Sequence, residues 1–170
     1  METVEMTELR AYFFGNMYLS SIQQGIQAAH VVGNMATRYW GMEHNAGGMF
    51  HEWAENHETI ILLNGGYAEN IYDLNRFFDE GEHAYPYEMF NESKQALDGA
   101  VTCTGIILPE KIYEGAKVMR KLSKQSWQYT LFSDKRILRV YLGDNDEEKI
   151  KYTEWEVELM QRLNRFRLAI

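Results

Sequence analysis

Leu9-Arg10-Ala11-Tyr12-Phe13-Phe14-Gly15-Asn16-Met17-Tyr18-Leu19-Ser20-Ser21-Ile22-Gln23-Gln24-Gly25-Ile26-Gln27-Ala28-Ala29-His30-Val31-Val32 decides the fold of this chain. Tyr12, Phe13 and Phe14 follow one another, so a strand over 9–16 is apolar on both faces, as a central strand must be. The run breaks at Met17-Tyr18-Leu19-Ser20, and helical spacing takes over at once. Ser20 or Ser21 can cap this helix, with Gln24 in the reciprocal position if Ser21 is the cap. The helix is expected to reach about Tyr39. Ile22, Ile26, Ala29 and Gly33 share one of its faces, and Gln23, Gln27 and His30 line a neighbouring one.

Working outward, 41–48 reads as a loop and 49–56 as a short helix. Residues 58–64 form a continuous apolar strand ended by Gly65-Gly66, and 68–80 a helix stopped by Gly81. A third strand is expected over 84–90, with Pro86 near its start as suits a strand end or edge. After a polar turn at 91–99, residues 100–108 read as a fourth strand closed by Pro109. A helix from Glu110 carries Ile112, Ala116, Met119 and Leu122 on one side. Two β-rich runs at 127–132 and 137–142 suggest a hairpin. Asp144 or Asp146 is then placed to cap a last helix with Tyr152, Trp155, Leu159, Leu163 and Phe166 as its apolar stripe.

This order predicts an α/β fold, a three-layer α/β/α arrangement with a four-stranded mixed, mostly parallel sheet, plus a C-terminal hairpin and long helix. Residues 1–122 are expected to form the α/β domain, and 123–170 an extension packed on it or used for self-association. In open α/β sheets ligands sit beyond the carboxyl ends of strands, which is the place of residues 17–27.

The 170 residues are 45% hydrophobic and carry a net charge of −8 with a single cysteine, Cys103. That length can bury a core, one cysteine forms no intrachain disulfide, and no apolar run approaches a membrane span. With no signal-like start, a cytoplasmic location is expected. Residues 41–98 hold twelve acidic side chains against Arg76 and Lys94, whereas 117–140 hold seven basic ones against Asp134. Such an acidic body disfavours long nucleic acid, because phosphate neutralisation supplies most nonspecific affinity. The basic segment, a solvated helix face on its bland reading, remains able to meet a small anion.

Gln23, Gln27 and His30 offer amides and an imidazole that can hydrogen-bond a base, ribose or phosphate, or else stay solvated or cap backbone groups. His44, His51 and His57 share no helix face, and His51-Glu52-Trp53-Ala54-Glu55 lacks the second histidine of a zinc-protease helix, so neither a metal nor a cofactor is expected. Cys103 lies mid-strand between two threonines and reads as a small core hydrophobe with no adjacent cation to activate it. Tyr39-Trp40-Gly41-Met42 with Met49-Phe50 either staple a loop to the core or stack a base.

Gln27-Ala28-Ala29-His30-Val31, on the helix after the first strand, resembles the Gln-x-x-His-Ala run of the type II peptidyl-tRNA hydrolase family. Residues 59–65, 71–78 and 85–92 resemble its next strand, helix and strand, and Gly99-Ala100-Val101-Thr102 with 106–109 its Gly-Thr-x-Thr strand ending in proline. The resemblance covers about residues 9–122. It implies an ester-hydrolysing ancestry on peptidyl-tRNA-like substrates. The family's Gly-Lys pair, however, falls on Ile22-Gln23, and its Asp-Ala-Gly-Arg-Thr segment falls near Asn91-Glu92-Ser93-Lys94-Gln95. What remains for catalysis is Glu92 for the aspartate, Thr102 for a threonine, and Lys94 for the missing cation.

The expected function is therefore a non-catalytic relative that binds, and possibly sequesters, a nucleotide-type ligand through Gln23, Gln27, His30, Asn91 and Thr102. A viral protein scavenging a host nucleotide signal would be one instance. The alternatives are an active hydrolase using Glu92, Lys94 and Thr102, and a protein-interaction module acting through the acidic face or C-terminal helix. A homo-oligomer is compatible with each.

Overall fold

The structure, a computed structural model, describes residues 8–123 and 152–169. It divides into two compact units, Glu8–Leu108 joined by the tail from Phe166, and Pro109–Arg165. The expected hairpin over 127–142, the caps Asp144 and Asp146, and the side chain of Leu122 lie outside the described residues, as do Lys124, Lys135, Arg136 and Arg139.

The first unit holds β1 (Leu9–Asn16), α1 (Ser21–Tyr39), α2 (Asn45–Glu52), a π-helical turn (Trp53–His57), β2 (Thr59–Gly66), α3 (Ala68–Glu80), β3 (Tyr87–Asn91), α4 (Lys94–Leu97), β4 (Val101–Pro109, whose last residue belongs to the second unit) and β5 (Arg167–Leu168). The fold class is α/β, as expected. The sheet has five strands in the order β3-β4-β1-β2-β5, not four. Nor is it mostly parallel. β1 and β2 are parallel, whereas β2–β5 and β3–β4 are antiparallel. β1 and β4 are also antiparallel, since Asn16 meets Val101 while the Tyr12 carbonyl faces Gly105.

The reason lies in the connections. A parallel crossover needs a dozen or more residues, and the segment between β3 and β4 holds only the short α4, so β4 returns beside β3. The fifth strand comes from the tail after the last helix, which ends at Leu163, so Phe166 is not part of the helical stripe expected of it. Phe166 instead packs edge-on to Phe14 at 4.7 Å and leads into β5.

β1 is the central strand its aromatic run predicts. Leu9, Ala11 and Phe13 share a buried cluster with Val31, Met35, Tyr39, Phe50, Trp53, Cys103 and Ile107. On the opposite face Phe14 meets Phe78 of α3 at 6.2 Å. Helices thus cover both faces of this unit's sheet. In α1, Ser20 is the cap and Gln23, not Gln24, is its reciprocal partner.

The buried face of α1 is also not the one that carries Ile22, Ile26, Ala29 and Gly33. Gln24, Gln27, Ala28, Val31, Met35 and Tyr39 are inside, while Ile22 is 78% and Ile26 51% exposed. Two polar anchors set this rotation. The Gln24 side chain lies over Gly15, where a Cβ would stand 2.6 Å from its Oε1, and Gln27 is bonded on both sides of its amide.

The second unit pairs α5 (Glu110–Ser123) with α6 (Glu154–Leu163). Ile112, Ala116 and Met119 are buried along α5 as their spacing predicts. Gly115 admits the other helix closely, since a Cβ there would meet the Met160 sulfur at 2.5 Å. Thr153 caps α6, and Glu156, buried, bonds Lys111 at 2.6 Å. Among the described residues no helix is long and apolar enough to cross a membrane.

Candidate functional site

Three chain reversals meet at one end of the sheet in the first unit. After β1, the Asn16 side chain accepts from the Tyr18 N–H at 3.0 Å and points its amide at the Val101 carbonyl, while the Met17 N–H donates to the Gly66 carbonyl at 2.8 Å. This tight turn lifts Tyr18 out of the sheet, 80% exposed.

After β2, the register slips so that Asn16 pairs with Gly66 and Gly65 is passed over. Glycines are required here. Gly65 sits 3.0 Å from Phe14 and Ile71 atoms at its would-be Cβ, and Gly66 has φ +85. The Tyr67 N–H then donates to Asn70 Oδ1 at 3.0 Å and α3 begins, with Glu69 in its first turn. Before β4, Ser93 caps α4, and Asp98 and Gly99 take left-handed backbone, which turns Leu97 outward beside Ala100.

These reversals border an open cleft of about 570 Å³ lined by Asn16, Tyr18, Leu19, Tyr67, Ala68, Glu69, Leu97, Ala100 and Thr102. The Tyr18 and Tyr67 rings lie 5.1 Å apart at its rim. The position, beyond the carboxyl ends of β1 and β2, is the one the strand-end rule assigns.

Of the residues singled out in the sequence, three come together. The buried Thr102 hydroxyl donates to Gln27 Oε1 at 2.9 Å, and Gln27 Nε2 donates to Glu92 Oε1 at 2.9 Å. Thr102 forms part of the cleft lining, and Gln27 and Glu92 support it from behind. The others stand apart. Gln23 is exposed and holds the Ser20 cap. His30 stacks on Phe90 at 4.4 Å with the planes 13° apart. Asn91 is exposed and donates to the Gly99 carbonyl at 3.1 Å. Lys94 opens α4, exposed, one turn before Leu97.

Away from the cleft, His57 lies 3.2 Å from Glu52, and His51 packs edge-on to Phe50 and Trp40. Among the described residues no three His, Cys, Asp or Glu side chains gather as a metal would require. Cys103 is fully buried, and burial pushes its thiol up to about 12, against a smaller opposing effect of a backbone hydrogen bond at Phe14. At neutral pH it is a thiol and no nucleophile.

Of the nine lining residues Thr102 alone is a candidate from the sequence; Tyr18 and Leu19 fall in the 17–27 stretch marked by the strand-end rule, and Asn16, Tyr67, Ala68, Glu69, Leu97 and Ala100 carry no such mark. A signal for the tyrosines exists in hindsight. Tyr67 follows directly on β2 and Tyr18 comes two residues after β1, so both rings stand at the carboxyl ends of the two parallel strands. No protein-family model and no curated protein matches the chain, so the chemistry of the site rests on its own geometry.

Proposed function

We propose that this chain binds a nucleotide-type ligand in the cleft and holds it without turning it over, as a divergent relative of the type II peptidyl-tRNA hydrolases. The observation that carries this reading is the cleft's size and lining together. Its volume of about 570 Å³ falls within the range of small-molecule sites. Two exposed tyrosine rings, tilted 43° to one another, each offer a face of the kind on which bases stack.

The state of the polar residues supports binding over hydrolysis. An ester hydrolase of this kind needs a nucleophile with a base, or an activated water with a cation at the developing oxyanion. Here the Thr102 hydroxyl donates to an amide oxygen, which is no base, and Gln23 stands where the family's helix carries lysine. Sequestration of a soluble nucleotide, as by a viral protein removing a host signal, is a use that such a site suits.

Calorimetry with a panel of mono- and cyclic nucleotides tests the reading, with chromatography of each ligand after incubation. Saturable heat and unchanged ligand are expected. No heat with any member overturns the proposal. Turnover of an aminoacyl ester that is lost in Lys94→Ala or Glu92→Ala replaces it with the hydrolase.

A further inference from the structure

The side chains that line the cleft are chemically one-sided. The Asn16 amide is engaged with Val101 and Tyr18 inside the fold, and the Thr102 hydroxyl with Gln27. Among the lining residues there is no lysine, arginine or histidine, and the charged side chain is Glu69. Glu69 is exposed in the first turn of α3, two residues beyond the Tyr67 ring. An ionised carboxylate only accepts hydrogen bonds. The side chains of the cleft therefore present an aromatic face beside an acceptor, with no cationic side chain to receive a phosphate.

A planar ligand with two adjacent N–H donors along one edge complements that arrangement. Among the common nucleobases guanine has such an edge, its ring N1–H next to its exocyclic amino group. A carboxylate can accept both at once, as it does from an arginine fork. Adenine and cytosine set their amino group beside a bare ring nitrogen, and uracil sets its single N–H between two carbonyls. Each of these would turn a lone pair toward the Glu69 oxygens.

We infer that the cleft recognises a guanine base, stacked on the Tyr67 ring, which the Tyr18 ring meets at 43°, with its N1–H and amino group on Glu69. Its phosphate then projects out of the cleft toward Lys94, which lies one turn from the lining residue Leu97. The inference rests on the nucleotide-binding reading above and names its ligand class.

Calorimetry on the full chain with guanosine, inosine, adenosine and guanosine monophosphate tests it. Inosine lacks only the amino group. Guanosine is expected to bind about tenfold or more tighter than inosine or adenosine, as the loss of a hydrogen bond to a charged group implies. Glu69→Gln, an exposed change, is expected to bring guanosine to the level of inosine. Tyr67→Ala should weaken every nucleoside about tenfold, and Lys94→Ala should weaken the monophosphate alone. Equal binding of guanosine and inosine, or a preference that survives Glu69→Gln, overturns the inference. Binding of another nucleotide without guanine preference does so too, while leaving the nucleotide reading in place. No binding by any of the four overturns the inference, and silence across the wider nucleotide panel overturns both.

Discussion

The Tyr39 hydroxyl, on the last turn of α1, donates to the Tyr87 carbonyl and accepts from the Tyr87 N–H, each at 3.2 Å. One side chain thereby satisfies both backbone groups of an edge-strand residue. Further along β3, Asn34 donates to the Met89 carbonyl at 2.9 Å, and the Met89 N–H donates to the Glu88 carboxylate at 3.2 Å. Edge strands that keep bare N–H and C=O groups recruit other strands. The polar side of α1 closes this edge.

Tyr39→Phe removes both bonds while keeping the ring that packs near Phe50. Because Tyr87 is only half-buried, water replaces part of what is lost, and a destabilisation of about 1 kcal/mol is expected in urea unfolding. An unchanged midpoint would show that the edge needs no such cover.

Gln27 joins Thr102 to Glu92. Gln27→Leu leaves a fully buried hydroxyl without its acceptor and should cost about 1–3 kcal/mol. Adding Thr102→Val removes the orphaned hydroxyl, so the double variant is expected to be more stable than Gln27→Leu alone. Simple additivity in the cycle would contradict the coupling.

The same change, glycine to alanine, should act with opposite sign at two sites. At Gly105 a Cβ would run into the Phe13 ring and lie 3.3 Å from the Tyr12 carbonyl, so Gly105→Ala should destabilise by about 1–3 kcal/mol. At Gly33, on the exposed face of α1, a Cβ meets nothing within 4 Å, and Gly33→Ala should stabilise by about 0.5–1 kcal/mol. Thermal melts of the pair check both signs.

Cys103 makes alkaline stability pH-dependent. Its folded-state thiol is raised by burial to about 12, well above the unfolded value, so the native state keeps a proton that the unfolded chain has released. Stability from this group is fully present below the unfolded thiol range and is lost as pH rises toward about 12. Cys103→Ala should show a shallower fall over that window in denaturant titrations. Alkylation of the native thiol at neutral pH should be far slower than that of the unfolded chain and should rise as denaturant populates open states.

The sequence made the strands and their apolar partners legible wherever one physical signal dominated. Tyr12-Phe13-Phe14 announces a strand covered on both faces, and Ile71, Leu74 and Phe78 lie buried along α3 at their helical spacing. The rotation of α1 was not legible, because it depends on what Gln24 and Gln27 find across the fold. A glycine at position 15 and a threonine 75 residues away decide it. Strand direction was missed for a similar reason. Alternation of elements suggested parallel crossovers, but the length of the link between β3 and β4 governs direction there. In the site, Gln27 and Thr102 were visible as polar residues on a suitable helix and strand, and Glu92 only through the family resemblance. Tyr18, Tyr67 and Glu69 come together only through the register slip at Gly65 and Gly66, which two adjacent glycines hint at but do not specify.

The claim that the cleft is the binding site is tested most directly by NMR, following backbone amides while guanosine monophosphate is added. The largest shifts are expected at Asn16 to Leu19, Tyr67 to Glu69 and Leu97 to Thr102, with α5 and α6 little changed. Shifts confined to α5, α6 or the outer face of α1, with those three reversals still, would contradict it.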